Sequence, residues 1–93
     1  MTPVRISIIG DFNPDFHSHH ATNHSLDHAA QALGLNLKWQ WLPTDSLLEQ
    51  NYERTLRNCQ GVWISPGSPY RSIEGVLRAI QFARVRDWPL LGT

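Results

Sequence analysis

The chain has 93 residues, of which 41% are hydrophobic, and its eight acidic and eight basic side chains leave no net charge at neutral pH. This length suffices for one small domain, and the balanced charge argues against disorder and against a nucleic-acid-binding surface. The sequence contains neither a run of about twenty apolar residues nor the apolar core of a signal peptide. We therefore expect a cytoplasmic protein with no membrane or nucleic-acid partner, and a single cysteine, Cys59, agrees with a reducing compartment.

The first half of the chain predicts a strand, a long loop, a helix and a second strand. The run Val4–Ile9 is β-branched and almost continuously apolar, as in a strand that is covered on both faces. Residues 11–23 are polar and rich in histidine, which predicts a loop. Apolar residues then recur at helical spacing over 25–34, where Gly34 is expected to end a helix. Residues 35–42 alternate with a period of two, as in a strand with one better-buried face.

The second half predicts two more helices and two more strands. Ser46-Leu-Leu-Glu49 fits the capping-box pattern, which predicts that a helix starts there. Residues 61–65 form a third predicted strand, residues 73–86 a helix and residues 88–91 a fourth strand. Phe82 is expected to point away from the buried face of that last helix. The buried face is expected to carry Ile73, Val76, Leu77, Ile80 and Ala83.

The regular alternation of strands and helices predicts an α/β fold. Four strands and about three helices in this order are typical of a parallel, flavodoxin-like sheet with right-handed crossovers and helices on both faces. The first strand should lie inside the sheet. We expect residues 1–93 to form one partial domain of this kind.

Ligands of open parallel sheets bind at the carboxyl ends of the strands, which directs attention to the loops after strands one and three. Gly10 and Asp11 follow the first strand, and residues 66–70 follow the third. Gly67 lets the backbone turn without steric penalty, so the N–H groups of Gly67 and Ser68 are candidates to bind an anion. An equally open alternative is that residues 66–70 are only a tight connection between strand and helix.

The histidines offer a competing interpretation as a metal site. His24 and His28 are four residues apart and would share a helix face, where His20 could join them from the loop. His17 and His19 lie close by in the sequence, but no carboxylate or cysteine spacing completes a recognised site. We therefore expect a solvated polar loop and predict neither a metal nor a cofactor. Asp11 and Asp15 would serve a metal site or simply cap the loop.

The last third of the chain resembles the class I glutamine amidotransferase domain of CTP synthases. The segments that carry the resemblance are Gly61-Val-Trp-Ile-Ser-Pro-Gly-Ser68, Glu74-Gly75, Ala79–Arg84 and Pro89-Leu-Leu-Gly92, and weaker similarity covers almost the whole chain. The resemblance implies hydrolysis of glutamine to glutamate and ammonia through a cysteine thioester. It also implies that Ser68, beside Gly67, supplies a backbone N–H to the oxyanion hole, with Gly10, Asp11, Pro69 and Tyr70 around the glutamine pocket.

The chain departs from that family in two respects. Pro69-Tyr70 replaces the family's Gly-Phe-Gly continuation, so the shape of the glutamine pocket should differ. The family's nucleophilic cysteine would fall just after Thr93 and its His-Glu pair farther on, so residues 1–93 correspond to the amino-terminal part of the domain and should be inactive alone. Cys59 is expected to fill the core instead of acting as a nucleophile. The alternative is a non-catalytic module that docks a partner through its half-sheet, by self-association or with a complementary chain.

Overall fold

The computed structural model describes residues 3–66 and 70–92. Strands and helices alternate along the chain, and each predicted element has a counterpart. Their bounds are β1 Val4–Ile9, α1 His17–Leu33, β2 Leu37–Leu42, a 3₁₀ helix Thr44–Leu48, α2 Tyr52–Arg57, β3 Gly61–Ile64, α3 Ile73–Val85 and β4 Leu90–Gly92. No helix in these ranges is long and apolar enough to cross a membrane.

The four strands form one parallel sheet in the order β2-β1-β3-β4. Residue Ile8 of β1 lies opposite Trp41 of β2 on one side and Trp63 of β3 on the other. The first strand is therefore interior, and three of its residues, Ser7, Ile8 and Ile9, are fully buried. These features confirm the predicted flavodoxin-like α/β fold.

Helices cover the two faces of the sheet unequally. On one face, Ile9, Val62 and Ile64 pack against α2, α3 and the 3₁₀ helix in a single core cluster. The other face is covered by α1, whose residues Asn23 and Asp27 accept hydrogen bonds from the indole N–H groups of two β2 tryptophans. Because tryptophan needs a partner for its N–H when it is partly buried, these bonds fix the position of α1 over β2.

Helix α1 begins at His17, so the prediction of a loop over residues 11–23 was wrong beyond residue 16. The polar composition gave no signal for this part of the helix, which is stabilised by a tertiary contact. His19 is buried, and the centroid of its ring lies 4.8 Å from the centroid of the Trp41 ring. Two hydroxyls inside this stretch, those of Thr22 and Ser25, donate to carbonyls four residues earlier and so do not compete with the helix. Gly34 ends the helix with φ of 65°, as the sequence indicates.

The capping box at Ser46 does not form. Ser46 lies inside the 3₁₀ helix, and its hydroxyl donates to the Pro43 carbonyl at 2.6 Å, so it is not free to cap. The α-helix that follows starts later, at Tyr52. Asn51 is in its N-cap position, but the Asn51 side chain makes no capping hydrogen bond. The segment is therefore a 3₁₀ turn followed by a short helix.

The inner face of α3 is also rotated from the predicted one. Phe82 is 4% exposed and packs in the core, whereas Ile73 and Leu77 are more than half exposed. Val76, Ala79 and Ala83 complete the buried side. The prediction that Phe82 points away from the core was wrong because the helix carries apolar residues on two sides, and periodicity alone does not select between them.

Candidate functional site at the carboxyl edge of the sheet

The carboxyl ends of β1, β2 and β3 meet at one edge of the sheet. Asp11 follows β1, Thr44 follows β2, and Arg71 and Ser72 follow the turn after β3. Since parallel strands all end on the same edge, these loops lie side by side although they are far apart in sequence.

The carboxylate of Asp11 joins the three loops. Its Oδ1 accepts a hydrogen bond from the Thr44 backbone N–H at 2.9 Å. Its Oδ2 accepts one from the Thr44 hydroxyl at 2.8 Å and one from the Arg71 backbone N–H at 2.8 Å. Hydrogen bonds to an ionised acceptor are roughly twice as strong as neutral ones, so this carboxylate is the main polar link at the edge.

These contacts lower the pKa of Asp11. Partial burial acts in the opposite direction and raises it, but the backbone N–H groups of Arg71 and Thr44, the Thr44 hydroxyl and the positive charge of Arg71 together outweigh the burial. The carboxyl group is therefore ionised at neutral pH and can only accept hydrogen bonds.

The start of α3 is attached to this network. The Ser72 N–H donates to the Thr44 hydroxyl at 2.9 Å, and the Ser72 hydroxyl caps the helix by accepting from the Gly75 N–H at 3.0 Å. Gly75 lies so close to the Thr44 backbone that a Cβ there would overlap the Thr44 carbonyl oxygen. The approach of α3 to the 3₁₀ helix therefore depends on a residue without a side chain.

The turn after β3 is anchored on its other side as well. The Tyr70 hydroxyl donates to the Ser65 carbonyl at 2.6 Å, and the Ser65 N–H donates to the Ile9 carbonyl at 3.0 Å. The Ser65 hydroxyl lies directly beside Gly10, where a Cβ would collide with it. The structure places Gly10 and Tyr70 at the same edge of the sheet as Asp11. The other three predicted residues, Gly67, Ser68 and Pro69, lie outside the described residues.

A cleft opens next to the Asp11 carboxylate. It has a volume of about 350 Å³ and is lined by Asp11, Phe12, Asn13, Pro14, Phe16 and Arg71. It combines a cation, a carboxylate and aromatic rings, which suits a small polar molecule. Thr44 and Arg71 were not predicted from the sequence. Their only signal was position, since each lies within a few residues of a predicted site residue or of a strand end.

The histidines of α1 have individual environments. His19 accepts a hydrogen bond at Nδ1 from the Asn13 N–H at 2.9 Å, and His20 donates from Nε2 to the Pro14 carbonyl at 2.7 Å. His17, His24 and His28 are exposed. Within residues 3–66 and 70–92, no three His, Cys, Asp or Glu side chains are placed to hold a metal ion.

Cys59 lies at the opposite edge of the sheet. It precedes β3, is 1% exposed, and its Sγ donates to the Leu56 carbonyl at 3.0 Å. The Trp88 indole N–H bonds to the Cys59 carbonyl at 2.9 Å, which closes the core over the thiol. The sulfur belongs to the core and does not face the Asp11 cleft.

Known proteins resemble this chain in both sequence and backbone, although no family model matches it. The chain is 34% identical over 89 residues to the CTP synthase of Acidobacterium capsulatum and 35% identical to that of Encephalitozoon cuniculi. Each alignment covers 96% of this chain and 16% of the relative, so the chain spans about a sixth of the length of these curated relatives.

A solved structure, the glutaminase domain of Trypanosoma brucei CTP synthase with bound acivicin, superposes with a TM-score of 0.81. It is 25% identical in sequence, and the match covers 96% of this chain and 35% of that one. The agreement in sequence and fold identifies the chain as part of a glutamine amidotransferase domain of the CTP synthase type.

Proposed function

We propose that the chain forms one side of the active site of a glutamine-hydrolysing amidotransferase, in which a cysteine thioester releases glutamate and ammonia. The observation that carries this proposal is the backbone match to a CTP synthase glutaminase domain. In this proposal the backbone N–H groups of Gly67 and Ser68 stabilise the oxyanion, because such donors act where negative charge develops in the transition state. Glutamine occupies the edge formed by Gly10, Asp11, Pro69 and Tyr70.

The geometry of the described residues supports the proposal that this chain provides the oxyanion donors and the glutamine-binding edge. Asp11 and Tyr70 hold the residues on either side of positions 67–69, and the Asp11 cleft opens beside them. Cys59, the single cysteine of the sequence, is buried at the far edge of the sheet and is not available to attack glutamine. The thiolate and its His-Glu base must then be supplied from outside these 93 residues, and the chain alone is inactive because an oxyanion site without a nucleophile has nothing to stabilise.

Glutamine metabolism in the cytoplasm is the setting that we propose for this activity. The single cysteine is reduced, so folding does not require an oxidising compartment. Glutamine is the ligand of the complete domain.

A second candidate is a non-catalytic module that docks a partner through its half-sheet. The observation in its favour is the exposure of β4, where Leu90 is 40% and Leu91 53% exposed. Beside them lies an open groove of about 270 Å³, lined by Ile6, Leu26, Gly61, Val62, Trp63, Pro89, Leu90 and Leu91. Exposed apolar strand edges of this kind favour association with a second copy or with a complementary chain.

Glutaminase assays combined with sedimentation separate the two candidates. For the first, we expect no turnover by the 93-residue chain and measurable ammonia release by a longer polypeptide that adds a downstream cysteine and His-Glu pair. Turnover by the short chain comparable to that of the longer one would refute the proposal that the nucleophile and its base lie outside these 93 residues. A self-associated short chain, together with an inactive but folded longer one, would favour the docking module.

A further inference from the structure

We propose that Asp11 is a positioning residue that fixes Arg71 and Ser72 at the start of α3. Its carboxylate does so by accepting hydrogen bonds from two separate loops. The functional part of this inference rests on the proposed function, which places the oxyanion donors at Gly67 and Ser68. The structural part concerns only described residues and stands by itself.

The ionised carboxylate of Asp11 determines which groups donate and which accept in this network. An ionised carboxylate only accepts hydrogen bonds, so the Thr44 hydroxyl must donate to Asp11 Oδ2. The lone pairs of that hydroxyl then receive the Ser72 N–H. Ser72 in turn caps α3 through the Gly75 N–H. The charge on Asp11 therefore sets the orientation of a chain of hydrogen bonds that ends in the first turn of α3.

Asparagine cannot replace the carboxylate in this arrangement. If its NH₂ group takes the position of Oδ1, it faces the Thr44 N–H. If the NH₂ takes the position of Oδ2, it faces the Arg71 N–H, and the Thr44 hydroxyl must turn to accept from it. In either orientation a backbone N–H loses its acceptor, and for the part-buried Thr44 N–H this loss costs more than the bond itself contributed.

The Arg71 contact with Asp11 is independent of the contacts that hold Ser65 and Tyr70. Ser65 is held by the sheet through Ile9, and Tyr70 is held by Ser65. These bonds do not involve Asp11. Loss of the carboxylate should therefore release Arg71 and Ser72 while Ser65 keeps its place, which is a local change that general destabilisation does not produce.

Hydrogen exchange of the folded 93-residue chain tests the proposal residue by residue. In Asp11→Ala, which removes both acceptor oxygens, we expect the amides of Thr44, Arg71 and Ser72 to exchange about tenfold faster or more, relative to the change at Ile8 and Ile9. Asp15→Ala is the matched control, since it removes a carboxylate from the same loop without removing these bonds, and should leave the three amides unchanged.

The Thr44 relay has its own pair of variants. Thr44→Val removes the hydroxyl and should accelerate exchange at Ser72 more than at Arg71, because only the Ser72 N–H loses its acceptor. Thr44→Ser restores the hydroxyl and should return Ser72 to slow exchange. This rescue distinguishes positioning from a simple loss of packing.

A pH titration of the unmutated chain avoids any doubt about whether a variant folds. The pKa of Asp11 is lowered from its ordinary value of 3.8, so the interaction is fully present above that value and is lost as the pH falls through the lower, folded-state pKa. The positive charge of Arg71 acts on the Asp11 carboxylate and contributes to this lowering of its pKa. We expect the Thr44 and Arg71 amide resonances to shift together in that acidic range.

Three results would overturn the proposal. These are unchanged exchange at Arg71 and Ser72 in Asp11→Ala, a uniform acceleration of exchange over the whole chain, or Thr44 and Arg71 amide resonances that do not shift during the titration. None of these measurements involves glutamine, so failure of the glutaminase proposal would leave them valid. Conversely, a catalytically active longer polypeptide whose kcat is unaltered by Asp11→Asn would refute the functional part alone.

Discussion

Replacing Gly75 with alanine should destabilise the chain by about 3 kcal/mol, because the new methyl group has no space. A Cβ at this position would overlap the Thr44 carbonyl oxygen and lie 2.8 Å from the Thr44 carbonyl carbon. Both are backbone atoms of the 3₁₀ helix, so α3 must move away from it. Elsewhere in a helix the same substitution normally stabilises by about 0.5 to 1 kcal/mol, which makes the sign of the effect diagnostic.

Urea denaturation of Gly75→Ala measures this effect directly, with Gly92→Ala as the control. No described atom lies within 4 Å of a Cβ at Gly92, so that variant should unfold at nearly the same urea concentration as the original chain. A Gly75→Ala variant that is as stable as the original, or more stable, would show that α3 does not approach Thr44 so closely.

The second large effect concerns the buried face of α3. Phe82→Ala should lower the free energy of unfolding by about 3 to 5 kcal/mol, because it removes a buried ring. That ring packs edge-on against Trp88, with 5.6 Å between the ring centroids. Leu77→Ala, on the same helix, should cost less than about 1 kcal/mol, since Leu77 is 57% exposed. Thermal or urea unfolding of the two variants gives the comparison. Equal losses, or a larger loss at Leu77, would place the opposite side of the helix against the sheet.

Phe82 and Leu77 also show why sequence periodicity did not predict the buried side of α3. Helix α3 has apolar residues on two sides, so the pattern alone fits either side facing the sheet. The choice is made by tertiary contacts: Gly75 allows close approach to Thr44, and Phe82 meets Trp88. Neither contact is visible in a helical repeat, which is why the wrong side was predicted.

The strands were easier to predict than the helices. The β-branched run Val4–Ile9 and the alternation in residues 35–42 are local signals, and the observed strands are Val4–Ile9 and Leu37–Leu42. The first half of α1 carries no such signal, since its polar residues resemble a loop. It becomes helical because His19 packs on Trp41, a contact between residues distant in sequence.

The sequence indicates which loops end at this edge of the sheet but not which hydrogen bonds connect them. Strand ends and turn residues drew attention to Gly10, Asp11 and Tyr70, which the structure brings to one edge. The bonds that join them link residues far apart in the chain, such as Asp11 to Thr44 and Asp11 to Arg71. Spacing within a single loop contains no information about partners in another loop, so the carboxylate's role emerged only from the fold.

The most direct test of the central claim is to graft the chain into a glutaminase domain of known structure. Residues 1–93 would replace the matching segment of the T. brucei CTP synthase glutaminase domain, whose solved structure contains acivicin. We predict a folded chimera that binds acivicin and that releases ammonia from glutamine. A chimera that folds cooperatively but neither binds acivicin nor hydrolyses glutamine would contradict the claim that these residues form one side of an amidotransferase site.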